Sequence, residues 1–69
     1  MPNYYVSHRA HDNGDHEVHA QNCEYLPKDL VYLGNFAGCG IAIERARELF
    51  RQVNGCIWCA RECRTSERL

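Results

Sequence analysis

Two cysteines behind a glycine, Cys56 and Cys59 in Asn54-Gly-Cys-Ile-Trp-Cys59, constrain this chain more than any other feature. The C-x-x-C spacing lets two thiolates meet one metal ion from a single tight turn, and so supplies half of a tetrahedral zinc site. The other half lies upstream, where His19 and Cys23 stand at the end of the one histidine-rich segment. The set His19, Cys23, Cys56 and Cys59 is therefore the expected zinc site, closing a loop through most of the protein. A site with four protein ligands has no position left for water, so the metal's expected role is structural.

The size of the chain gives this reading its weight. Sixty-nine residues form a single domain, residues 1–69, of a size whose core gives little surplus stability without a staple. Zinc binding contributes ~10–16 kcal/mol in small peptides at neutral pH, so metal binding would be much of folding. Five cysteines is an odd number, and the opening Met-Pro-Asn-Tyr-Tyr-Val has neither the basic region nor the apolar run of a secretion signal. A cytoplasmic setting is expected, with metal-ligating thiols rather than a disulfide framework. Eight Lys and Arg against nine Asp and Glu leave a net charge of −1, which offers no overall attraction to a phosphate backbone. No stretch approaches the ~20 apolar residues of a membrane span, so no membrane partner is expected.

In chain order, Tyr4 to Ala10 reads as a first strand running into Asn13-Gly14, a strong hairpin signal, with Asp15 to Ala20 as the return strand. A two-residue Asn13-Gly14 turn would set Asp12 against Asp15 and His8 against His19; a longer, bulged loop would slip the pairing. Pro27, Lys28 and Asp29 mark a turn, and Leu30 to Leu33 reads as a third strand joining the hairpin. From Cys39 to Val53, Ala42, Ala46, Leu49, Phe50 and Val53 follow the spacing of one apolar helix face. Glu44 with Arg47 and Glu48 with Arg51 occupy a solvated face. Gly55 is expected to stop the helix in a left-handed conformation, Trp58 to cover the metal site or close the core, and the tail from Arg64 to Leu69 to fray. The fold class is thus α+β: a small zinc-stabilised domain with an N-terminal hairpin, a third strand, one amphipathic helix and a C-terminal Cys-x2-Cys turn.

These stretches carry a resemblance. His19-Ala-Gln-Asn-Cys23, Val31-Tyr-Leu33, Phe36, the helix with Ala42 and Ala46, and Gly55-Cys-Ile-Trp-Cys59 resemble the small metal-binding domain of bacterial Ada-type DNA-repair proteins, and the related appendage of some nucleases that carries His in place of the first cysteine. With Gly14-Asp-His-Glu-Val-His19, Tyr32-Leu-Gly34, Cys39 and Cys63, the chain also resembles, more closely, a family of small bacterial proteins of uncharacterised function. The Ada likeness spans about residues 14 to 60 and implies zinc and an association with nucleic acid. Its methyl-accepting cysteine lines up with His19, whose imidazole is not a thiolate nucleophile, and its Arg-Pro before the last cysteine pair is Asn54-Gly55 here.

Cys39 and Cys63 fall outside the four-ligand set. They read as small buried side chains, as a redox-sensitive thiol at a helix N-terminus or a Cys39 to Cys63 pair, or, for Cys63, as a substitute for His19 at the metal. His16 is the alternate ligand if His19 faces away. Three functions compete: a non-enzymatic zinc-stabilised module binding a macromolecular partner, a protein before a nucleic acid; a thiol or redox protein using Cys39 or Cys63; and a metal-dependent hydrolase with Glu17 as its base, which would need an open coordination position.

Overall fold

The computed structural model describes residues 1–64. Its elements, in order, are β1 (Asn3–Ser7), β2 (His16–Ala20), β3 (Leu30–Asn35), α1 (Cys39–Arg47) and β4 (Val53–Gly55), followed by a single 3-10 turn at Arg61–Cys63. The strands form one mixed sheet in the order β3-β1-β2-β4, antiparallel except for the β2–β4 pair, so the class is α+β. Among the described residues, no helix is long and apolar enough to cross a membrane.

One face of the sheet is apolar and takes the helix. Alternation along β1 and β2 turns Tyr4, Val6, Val18 and Ala20 toward Ala42, Ile43 and Ala46 of α1, and all seven are buried. The opposite alternation puts Tyr5, Glu17 and His19 on the other face, with Tyr5 directly across from His19. Tyr5 also pairs with Tyr32 of β3, their rings 5.4 Å apart.

The hairpin register differs from the two-residue turn. Tyr5, not His8, faces His19, and residues 8–15 form a wider loop. Asn13-Gly14 does turn there, with Gly14 at φ +93° and its N–H donating to the His11 carbonyl at 2.7 Å. Asp15 causes the difference: it points inward, accepting from Gln52 Nε2 at 2.8 Å and from Asn13 and Asn54 amides at 3.2 Å each. A buried carboxylate so satisfied outweighs a strand pair with Asp12 across a tight turn.

The helix is shorter than its apolar spacing suggests. It ends at Arg47, Leu49 is exposed, and Val53 begins β4 rather than closing the helix. Phe50 turns back to stack on His16, ring centroids 3.9 Å apart. Gly55 lies within β4 and is not left-handed. Its need is for closeness, because a Cβ there would lie 2.5 Å from the Ala60 carbonyl oxygen and 3.2 Å from Cys63 Cβ. Trp58 neither closes the core nor is buried: it is 67% exposed. Arg64 is held rather than frayed, donating from Nη1 to Glu17 Oε2 at 3.3 Å and to the Gly55 carbonyl at 3.1 Å. The rest of the expected fraying tail, residues 65–69, lies outside the described residues.

No disulfide framework joins the five cysteines, but of the readings open for Cys39 and Cys63 the structure shows the pair. Cys39 at the start of α1 is bonded to Cys63 in the 3-10 turn, with Cα atoms 6.3 Å apart. The close packing of Cys63 over Gly55 carries it to the end of the helix.

Candidate metal centre

The candidate ligands gather at one end of the β2–β4 pair, His19 from a strand and the cysteines from the turns that follow the two strands. His19 is the penultimate residue of β2, and Cys23 follows in a turn closed by its own N–H on the Ala20 carbonyl at 3.1 Å. Cys56 extends the β4 pairing, its N–H donating to the Val18 carbonyl at 3.0 Å, and Ala60 N–H closes the Cys56–Cys59 turn on the Cys56 carbonyl at 2.9 Å.

The donor atoms of His19, Cys23, Cys56 and Cys59 all lie within 4.8 Å of one another. Cys23 Sγ is 3.9 Å from Cys56 Sγ, and Cys59 Sγ is 3.8 Å from His19 Nδ1. A zinc–sulfur bond of ~2.3 Å sets neighbouring donors of a tetrahedron ~3.8 Å apart. The two measured edges match that figure, and the group can hold a metal ion. All three cysteines are free of disulfide.

A backbone N–H is aimed at each of the three sulfurs. Backbone N–H groups of Tyr25, Trp58 and Ala20 donate to Cys23, Cys56 and Cys59 Sγ at 3.4, 3.4 and 3.2 Å. Burial, reinforced by Cys23 and Cys56, pushes the Cys59 thiol far above its ordinary range. A cation placed among the sulfurs would offset that effect of burial on Cys59.

His19 is 2% exposed, and burial, opposed by Glu17, lowers its pKa, which keeps the ring neutral as a ligand must be. Its Nδ1 faces the sulfurs while its buried Nε2 has no hydrogen-bond partner among the described residues. Glu17 Oε1 stands 3.8 Å from that nitrogen and 3.5 Å from His11 Nε2. At 3.8 Å the Glu17 carboxylate is beyond hydrogen-bond length from the ring but on the side away from the sulfurs, where a small approach would let it orient a ligating histidine. Glu17 thus sits behind the ligand, tied to Arg64 and His11, and not beside a coordination position where it would act as a base.

The alternate ligands are elsewhere. Cys63 is bonded to Cys39, and His16 directs Nδ1 to the Ser7 carbonyl at 3.0 Å. His8 lies with its ring edge-on to Phe50, 6.2 Å away. The larger surface hollow, about 880 Å³ between residues 9–13 and 27–29, reaches the site only through Glu17; a second of about 470 Å³ lies over Cys23 and Cys59. Sequence reasoning missed the supporting parts: the roles of Glu17 and Arg64, and the meeting of Tyr25 with Trp58. The last left a trace in the matching Cys-x-aromatic triplets Cys23-Glu-Tyr25 and Cys56-Ile-Trp58.

Comparison of the chain with family models, with curated proteins and with solved structures gives no match to any of them.

Proposed function

We propose that this chain is a non-enzymatic, zinc-stabilised module that binds a macromolecular partner, a protein in preference to a nucleic acid. The observation that carries it is the gathering of one histidine nitrogen and three sulfurs within 4.8 Å of one another, enough protein atoms to fill all four positions of a zinc ion. The N/S donor set suits zinc, and a closed site leaves water no place to be activated. The Ada-like resemblance agrees with a metal-binding domain, but His19 at the methyl-accepting position argues against methyl transfer. Elemental analysis of protein purified without added metal tests the reading: one zinc per chain is expected, lost with unfolding in Cys56→Ser and Cys59→Ser. Folded, metal-free protein with all three thiols titratable would overturn it.

A second reading, a redox-responsive thiol protein, is favoured by one observation, the Cys39–Cys63 disulfide beside the metal loop. Thiol counts before and after mild reduction, with metal content followed in parallel at saturating zinc, separate the two: the zinc module still holds one metal per chain when Cys39 and Cys63 are reduced.

A further inference from the structure

We propose that Tyr25 and Trp58 form a docking ledge for an arginine side chain of a partner polypeptide, an inference that rests on the zinc-module reading above. Both residues stand two positions after a ligand cysteine, and the backbone N–H of each donates to that cysteine's sulfur. The metal turns therefore fix where the two rings stand. The rings meet with centroids 5.2 Å apart, inclined at 32°, yet Tyr25 is 57% and Trp58 67% exposed. Two large aromatic rings gathered in solvent by the architecture of a metal site contribute little to the core, whereas they offer flat faces to a ligand.

Charge identifies the occupant. The hollow beside the rings is lined, among the described residues, by Asn22, Cys23, Glu24, Tyr25, Trp58 and Cys59, of which the charged side chain, Glu24, is acidic. Three thiolates and a neutral imidazole around a dication add a formal charge of −1 directly beneath it. An anionic hollow walled by aromatic faces attracts a cation and repels a phosphate. Of the two cationic side chains, the planar guanidinium stacks on a ring face while its N–H fork meets a carboxylate, here Glu24.

Trp58 is the single tryptophan of the chain, so its fluorescence reports directly on the ledge. The zinc-loaded full chain is titrated with an Arg-Gly repeat peptide, its Lys-Gly and Glu-Gly counterparts and a single-stranded oligonucleotide. The expected result is a saturable change in Trp58 emission with the arginine peptide, weaker with lysine and absent with the other two. Tyr25→Ala and Glu24→Gln, which alter no metal ligand, should each retain zinc and weaken binding of a labelled arginine peptide by about 10-fold. Zinc-loaded protein that leaves the arginine peptide unbound, binds the acidic peptide or oligonucleotide equally well, or binds as tightly in both variants overturns this proposal alone. Folded protein without zinc overturns the module reading and this proposal with it.

Discussion

Removing the Cys39–Cys63 disulfide should weaken metal binding even though neither cysteine is a ligand. The bridge spans a sequence separation of 24, and the loop-closure relation assigns such a loop a stabilisation of about 3.5 kcal/mol through the unfolded state. The apolar core it supports is small: besides two cysteines it consists of Tyr4, Val6, Val18, Leu33, Ile43 and four alanines. If so little buried area needs a bound metal to hold a chain of this size folded, folding and metal binding become one step. A loss of about 3.5 kcal/mol in that single step then appears as a few-hundredfold loss of apparent zinc affinity. The assay compares wild type with a Cys39→Ala/Cys63→Ala variant by competition against a chromophoric chelator, with far-ultraviolet circular dichroism of the metal-free forms. Stoichiometry should stay at one zinc per chain while affinity falls. Unchanged affinity would refute the coupling, and loss of the zinc at saturating metal would show that one of these cysteines is a ligand after all.

Other perturbations probe separate parts of the structure. Glu17→Gln should keep the fold and lower zinc affinity by about 10–100-fold by releasing the His19 ring; an affinity within twofold of wild type would remove Glu17 from that role. Gly55→Ala should destabilise by about 1–3 kcal/mol, because the new methyl meets the Ala60 carbonyl; a neutral effect in urea unfolding would show that the metal loop can retreat. The Gln52 amide, helped by Asn54, Arg64 and Asn13, holds the Asp15 carboxyl below its ordinary range against the effect of burial. A carboxylate depressed on folding contributes its stability above the unfolded value near 4 and loses it as pH falls through the folded one. Asp15→Ala should therefore cost about 1.5–3 kcal/mol, equally at pH 6 and pH 8; a cost that grows between them would mean that Asp15 titrates in that range.

The metal site was the most legible part of the sequence because its signal is local: each ligand pair is a short spacing at a chain reversal. The first three strands were readable for the same reason, from alternation and turn residues within a few positions. What escaped depends on distant partners. Asp15 widens the first loop because Gln52 and Asn54 come to it from the far end of the chain. The helix seemed to continue to Val53 because Leu49, Phe50 and Val53 keep a helical spacing, yet Phe50 is used against His16 and Val53 in a strand. Gly55 was singled out correctly as necessary and given the wrong reason, since its close neighbour, Ala60, lies in a loop whose path no local pattern encodes.

The parallel pairing of β4 with β2 also bears on how the chain is made. During synthesis His19 and Cys23 emerge with the hairpin, while the strand that completes the sheet and the two remaining sulfurs follow only after the helix. Until then the outer edge of β2 is an open row of hydrogen-bonding groups and the nascent chain holds half of the candidate ligand set. At about 5–20 residues per second the interval is a few seconds, during which neither edge nor ligands can be satisfied from within. Completion of the sheet and of the candidate ligand set thus falls to the same late segment, so that a chain ending before Val53 would display an unclosed sheet, open to pairing with a second chain.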